Sequence, residues 1–200
     1  MYNQELDIIN HIRGKVMSRK DDTGMSLFLV WGYPTVFFLF VEFAALKLWD
    51  ENWCHWLWAG IPLVGAPLMI YYLRKDYNRT GRRTHDENLA LQLWLFVGFA
   101  CCLGGFATGF SGLFELCYCT FQCLLVSMGC FLTGILSHFR PMALCGIAGA
   151  ILSFSCLFFQ DDLWPWQLFM AAVITVITLI IPGHLSLRHI KKKNQQYDRI

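Results

Sequence analysis

Six long apolar stretches alternate with short polar gaps along this 200-residue chain. An α-helix needs about 20 apolar residues to cross the hydrocarbon core of a bilayer, and each stretch is close to that length. The pattern therefore predicts an all-α polytopic membrane protein whose six transmembrane helices form three hairpins. The predicted helices cover residues 25–48, 54–73, 89–110, 113–137, 141–159 and 164–187.

The charges in the polar gaps alternate in sign and predict the orientation of the chain. Basic residues cluster at 13–20, 74–83, 140 and 188–199, whereas the gaps between them carry acids at 50–51, 115 and 161–162. Because basic loops are retained in the cytoplasm, both termini are expected there. The one sizeable internal loop is predicted at 74–88. Only 15% of the residues are charged, well below the roughly 25% of soluble domains.

Two segments flank the predicted membrane domain of residues 25–187. In residues 1–24, apolar positions recur at steps of three and four between charged residues, which is typical of a short amphipathic helix. This cytoplasmic segment is expected either to lie on the membrane surface or to contact a protein, and the pattern does not choose between the two. Residues 188–200 form a basic cytoplasmic tail, which is expected to attract anionic headgroups of membrane lipids.

Two predicted helices carry stripes of small and polar side chains at steps of three or four, so each stripe lies along one helix face. A face of small and polar side chains gains nothing from contact with lipid, so it is expected to face protein or water. One interpretation is close helix packing through small residues; the other is a polar path or ligand groove. Helix 4 contributes Glu115, Cys119, Gln122, Cys123, Ser127, Cys130, Gly134 and His138, and helix 6 contributes Gln167, Ala171, Thr175, Thr178 and Pro182.

Small residues also recur at helical spacing in helices 3 and 5, and they predict that helices 3, 4 and 5 touch. The prolines of helices 2 and 6 predict kinks, because each proline removes a backbone donor. Carbonyls freed in this way are either satisfied locally or line a cavity, so a ligand cavity between helices 2 and 6 is a further expectation. The residues concerned are Cys101, Gly105, Gly109, Cys145, Gly149 and Ser153 for packing and Pro62, Pro67 and Pro182 for kinks.

Glu42 is the strongest single candidate for a functional residue, because it lies about a turn and a half inside the outer end of helix 1. A carboxylate at that depth costs roughly 2–3 kcal/mol on insertion scales and needs a partner, a cavity or a proton. Its candidate partners are Lys47, His55, Gln122 and Gln167. Glu115 is expected to begin helix 4, where the helix dipole favours an acid.

The sequence offers no cofactor and no metal site. No histidine lies mid-membrane, and the clustered Cys117, Cys119 and Cys123 lack a second ligand pair. Most cysteines are therefore interpreted as small packing residues. The basic clusters lie against the membrane, which argues against binding to nucleic acid.

Two short motifs resemble a known group of proteins. Leu29-Val-Trp-Gly-Tyr33 opens helix 1, and Ile181-Pro-Gly-His184 closes helix 6 before basic residues. With the six-helix layout and the amphipathic lead-in, the chain resembles small bacterial inner-membrane proteins of unknown function. The resemblance implies a bacterial inner membrane and supplies no catalytic residues.

These patterns support three functional hypotheses. The first is a non-enzymatic membrane protein that binds or transports a small or lipidic ligand in an intramembrane cavity. The second is a structural or regulatory subunit that acts through protein contacts, with a protein partner or a second copy of the chain. The third is a membrane enzyme. The ligand-binding candidates are Glu42, His55, Glu115, Gln122, Ser127, Gln167 and Thr175, of which Glu42, His55 and Glu115 are also the set available to an enzyme.

Overall fold

The structure is a computed structural model that describes residues 27–49, 52–80, 85–111, 115–159 and 165–197. It confirms the predicted all-α class, with six helical segments long and apolar enough to cross a membrane. The segments contain α1 (Leu27–Leu48), α2 (Gly60–Thr80), α3 (His85–Ser111), α4 (Glu115–Leu136), α5 (Arg140–Ser153), and α6 (Pro165–Thr175) continued by α7 (Ile181–Tyr197). One 3₁₀ helix, Asn52–Ala59, precedes α2, and another, Phe154–Phe158, follows α5.

The helices at the basic end are longer than the apolar pattern predicts. The internal loop expected at 74–88 is largely helical, because α2 continues to Thr80 and α3 begins at His85. Likewise, α7 continues to Tyr197, so most of the predicted basic tail is helix. Lys, Arg and Gln are good helix formers, which explains why the helical backbone continues beyond the apolar residues. The predicted amphipathic segment 1–24 lies outside the described residues.

α4 is the central helix of the bundle. Among the helices from α2 to α7 it packs most extensively with α5, and it also contacts α3 and α6. The prediction that helix 4 touches helices 3 and 5 is confirmed, whereas α3 and α5 share no extensive contact within the described residues. The close approach of α4 and α5 depends on glycine: a Cβ on Gly146 would lie 2.5 Å from the backbone nitrogen of Phe131.

A tight turn joins α4 to α5. The N–H of Phe139 donates to the carbonyl of Gly134 at 2.9 Å, and the N–H of His138 donates to the carbonyl of Ile135 at 3.1 Å. This pair of bonds is the Schellman arrangement, which places one residue in the left-handed region and usually employs glycine there. Here His138 holds that position with φ of 53°. The turn brings the two helices together antiparallel within four residues of chain.

α1 lies between α2 and α7. Glycines again permit the approach: a Cβ on Gly32 would lie 3.0 Å from the side chain of Ile180, and one on Gly183 would lie 2.7 Å from Leu29. On the other side, a Cβ on Gly65 would lie 2.7 Å from the ring of Trp31. α1 therefore packs against both the second and the sixth span.

The kink predicted for the sixth span takes the form of a π turn at Val176–Ile180, between α6 and α7. Pro182 follows directly and is fully buried. A proline lacks the N–H that would bond to the carbonyl four residues earlier, and its ring pushes that carbonyl away. One wide turn relieves the clash while the helix continues, which is a common origin of π bulges.

Candidate functional site

Glu42 is buried inside the bundle, with only 3% of its surface exposed. It shares a face of α1 with Leu39, Ala45 and Leu46, which belong to the larger of the two apolar core clusters. Six residues separate it from the end of α1 at Leu48, which corresponds to about 9 Å along the helix axis. The carboxylate group thus lies well within the span and faces protein.

Tyr118 of α4 is the centre of a polar group beside Glu42. Its hydroxyl donates to the backbone carbonyl of Cys101 on α3 at 3.1 Å. The side-chain amide of Gln122, one turn further along α4, donates to the same hydroxyl. Glu42 of α1 lies in the neighbourhood of Tyr118 and Cys119. Residues from α1, α3 and α4 therefore meet at one place near the acidic end of the bundle; we call Glu42, Tyr118 and Gln122 the Glu42 site.

Two adjacent glycines of α3 make room for the tyrosine ring. A Cβ on Gly104 would lie 3.0 Å from Cε2 of Tyr118, and one on Gly105 would lie 2.7 Å from its hydroxyl oxygen. Trp58 approaches Gly105 from the 3₁₀ helix before α2, at 2.9 Å from the same hypothetical Cβ. Trp58 also meets Phe106 edge to face, with ring centroids 6.2 Å apart. The glycine pair thus positions Tyr118, and the tryptophan covers it toward the acidic end.

The residues of the Glu42 site differ in their exposure. Glu42 is buried, whereas Tyr118 and Gln122 are half-buried and keep accessible surface on α4. α3 packs on α4 but shares no extensive contact with α2 in the described residues. The site thus combines one buried carboxyl group with two half-buried polar side chains.

The deeper part of the helix 4 stripe is a packing interface. Ser127 is fully buried and donates to the carbonyl of Cys123 at 2.6 Å. A Cβ on Gly149 of α5 would lie 2.7 Å from the Ser127 hydroxyl and would also overlap Thr178. One turn further, the thiol of Cys130 lies 3.4 Å from the carbonyl of Met142. From Cys123 to Gly134 the stripe contacts α5 and the sixth span, so the packing interpretation holds for this part.

Thiols line the boundary between that interface and the Glu42 site. Cys123 on α4 and Cys156 on the 3₁₀ helix after α5 are buried neighbours in the larger core cluster. Cys119 lies near both Cys156 and Glu42. All three pack with the larger core cluster, which agrees with the interpretation of cysteine as a packing residue. Within the described residues, no group of histidine, cysteine and acidic side chains is arranged to hold a metal ion.

Two of the remaining predicted site residues, Gln167 and Thr175, bond to backbone carbonyls of the sixth span or the turn before it. Gln167 is buried and donates to the carbonyl of Phe159, which ties α6 to the preceding turn. Thr175 is buried and donates to the carbonyl of Ala171 at 2.8 Å within its own helix. His55 lies in the 3₁₀ helix before α2, and Glu115 is the first residue of α4 as expected. The side chains of His55 and Glu115 lie outside the described residues.

Sequence reasoning missed Tyr118, although it brings the Glu42 site together. The stripe along helix 4 contains Glu115, Cys119 and Gln122, and Tyr118 lies on its edge, one turn before Gln122. The signal that could have found it is the adjacent pair Gly104 and Gly105 on the neighbouring helix, since two glycines side by side can accommodate one aromatic ring. The ring can be assigned to this glycine pair only if helices 3 and 4 pack together, a contact that the stripes of small residues did predict.

Comparison of the chain with protein-family models, with curated proteins and with solved structures finds no match.

Proposed function

We propose that this protein is a non-enzymatic, multi-pass bacterial inner-membrane protein that binds or transports a small or lipidic ligand at the Glu42 site. The observation that carries the proposal is the burial of Glu42 at membrane depth beside the half-buried Tyr118 and Gln122. An acid at such a depth is costly, and in membrane proteins it marks ligand or ion pathways.

The groups present define the chemistry of the ligand. A carboxylate accepts hydrogen bonds, and the amide of Gln122 offers both an acceptor and a donor. The hydroxyl of Tyr118 already donates to the carbonyl of Cys101. The site therefore favours a ligand head with hydrogen-bond donors, such as an amine or a hydroxyl group, attached to an apolar body that suits the surrounding Leu, Ala and Cys side chains.

The position of the half-buried groups supports a lateral entry. α2 and α3 share no extensive contact in the described residues, while Trp58 and Phe106 meet at the acidic end. A lipidic ligand in the membrane would reach Tyr118 and Gln122 between α2 and α3, with Glu42 behind them. This route needs no channel through the packed interface of α4 and α5.

The orientation follows from the charges. Arg74 and Lys75 of α2, Arg140 of α5 and Arg188 of α7 all lie at one end of the bundle. Under the rule that basic loops remain in the cytoplasm, this basic end and both termini are cytoplasmic. The Glu42 site then belongs to the outer half of the inner membrane.

The test compares the small molecules that co-purify with the wild-type protein and with Glu42→Gln, by mass spectrometry of organic extracts. We expect a species enriched over the bulk membrane lipids with the wild type and depleted about tenfold with the variant, since a hydrogen bond to a charged group contributes roughly 1.5–3 kcal/mol. Gln122→Leu at the half-buried position is a second variant, and Gly98→Ala on the open face of α3 is the control. Identical extracts from all four proteins, without an enriched species, would refute the proposal.

A second candidate is a structural or regulatory subunit that acts through protein contacts. The observation that favours it is the dense interface of α4, α5 and the sixth span, in which Ser127, Thr178 and Cys130 are fully buried. A protein partner that co-purifies from native membranes, with equal yield from wild type and Glu42→Gln, would support this candidate over ligand binding.

A further inference from the structure

A second polar group lies at the opposite, basic end of the bundle, on the outside of the seam between α1 and α7. The hydroxyl of Tyr33 lies 2.7 Å from Nε2 of His184, and the two rings meet edge to face with centroids 6.1 Å apart. The contact joins residues 151 positions apart in the chain. It is exposed rather than buried, and 52% of the Tyr33 surface is open.

The close approach of the two helices creates this pair. Gly32 precedes Tyr33 and Gly183 precedes His184, and each glycine lies against side chains of the other helix. A Cβ at either position would crowd a side chain across the seam, since it would lie 3.0 Å from Ile180 in the π turn or 2.7 Å from Leu29 in α1. The seam thus holds the tyrosine and the histidine side by side on the surface that lipid would cover.

A basic stripe continues from this pair along α7. Arg188 lies one turn beyond His184, and Lys191 and Lys192 lie one turn beyond Arg188; all three are exposed. Residues four apart on a helix are neighbours on its surface. α7 contains no acidic residue along its whole length, so its positive charge is not balanced within the helix.

The pair also keeps one donor available in either tautomer of the histidine. If the Tyr33 hydroxyl donates to Nε2, then Nδ1 of His184 carries a proton; if Nε2 donates, then the Tyr33 hydroxyl proton is available. A phosphate oxygen accepts a bond from either group, and the guanidinium of Arg188 suits phosphate because of its planar fork of donors.

The depth of the pair matches a lipid phosphate. His184 lies one turn before the exposed Arg188, where the apolar sixth span gives way to basic residues, and Tyr favours the boundary between headgroups and acyl chains. Ile181, the first residue of α7, is exposed on the other side of His184 from Arg188 and offers an apolar surface for an acyl chain.

We propose that the α1–α7 seam binds the phosphate of an anionic phospholipid through Tyr33, His184 and Arg188. This site is separate from the Glu42 site, because one lies at the basic end and the other near the acidic end. The occupant is a lipid rather than a soluble phosphate compound, since the apolar surface beside the pair continues into the span.

Native mass spectrometry tests this proposal by counting lipids retained by the purified full chain in detergent, with phosphatidylglycerol or phosphatidylcholine added at equal concentration. We expect the wild type to retain phosphatidylglycerol in preference to phosphatidylcholine. Arg188→Gln should lower phosphatidylglycerol retention about fivefold, the factor for one basic side chain near an anionic surface. Tyr33→Phe should lower it as well, because it removes the bond to His184 without changing charge.

Arg140→Gln is the matched control, because Arg140 is exposed at the same end of the bundle but on α5. Retention that falls equally with Arg140→Gln and Arg188→Gln would show general attraction to basic charge and overturn the proposal. Retention unaffected by Tyr33→Phe would overturn the role of the pair. Displacement of the lipid by millimolar glycerol 3-phosphate would show a site for soluble phosphate and overturn the lipid assignment.

Discussion

Replacing Gly146 by alanine places a methyl group between the backbones of α5 and α4. The added Cβ would lie 2.5 Å from the backbone nitrogen and 2.7 Å from the Cα of Phe131, whereas ordinary contact begins at 3.4 Å. The neighbour would have to withdraw by about 0.9 Å to restore that contact. Because the obstructing atoms are backbone, no side chain can rotate away, and the two helices have to separate.

The expected change in the free energy of unfolding follows from two opposing effects. Overpacking a close contact costs about 1–3 kcal/mol, and obstruction by backbone places this change in the upper part of that range. Alanine in place of glycine in a helix stabilises the folded protein by roughly 1 kcal/mol. We therefore expect Gly146→Ala to lower the free energy of unfolding by about 1–2 kcal/mol, on the scale of these two contributions.

Gly98→Ala is the matched control, because nothing lies within 4 Å of the position that its Cβ would occupy. This change should leave stability unchanged or raise it by up to about 1 kcal/mol. The measurement is reversible unfolding of both variants in mixed micelles with increasing sodium dodecyl sulfate. Equal stability of Gly146→Ala and Gly98→Ala would refute the close approach of α4 and α5.

Three further predictions concern single contacts. His138→Gly should raise the free energy of unfolding by about 0.5–1 kcal/mol, because glycine adopts the left-handed conformation without the cost a side chain carries; unchanged or lower stability in the same assay would contradict the turn geometry. Trp94→Phe should cost about 1 kcal/mol through loss of the 3.0 Å bond to the Thr133 hydroxyl, and a double-mutant cycle with Thr133→Val should show coupling; purely additive effects would argue against that bond. In a variant that retains only Cys123 and Cys156, a membrane-permeable oxidant should link the two thiols and block maleimide labelling after denaturation, whereas full labelling would place them apart.

The helical architecture could be predicted because it depends on properties that each stretch of sequence carries alone. Apolar length determines the number of spans, and stripes of small residues identify the faces that meet protein, as the burial of Thr178 and Ser127 shows. The ends of α2 and α7 could not be predicted in this way, because hydropathy reports where lipid ends and not where the helical backbone ends. Both helices continue through basic residues to Thr80 and Tyr197.

The candidate site could be predicted only in part. Glu42 could be identified as a candidate from the sequence, because an acid within an apolar membrane helix is costly wherever that helix packs. Its neighbours Tyr118 and Cys101 depend on the rotation of α4 and α3 about their axes and on the space that Gly104 and Gly105 provide. The expected cavity between the second and sixth spans stays a prediction, because prolines reveal where a helix bends but not which helix packs beside it, and here α1 contacts both spans.

The position of α1 has a consequence for how the chain is made. Its contacts with α7 join residues 151 positions apart, and a ribosome that adds about 5–20 residues per second needs roughly 8–30 seconds to cover that distance. During this interval α1 has no sixth span to pack against. The contacts of α1 with the sixth span thus form late in synthesis, and substitutions at Gly32 or Gly183 should slow assembly and increase degradation of the nascent chain.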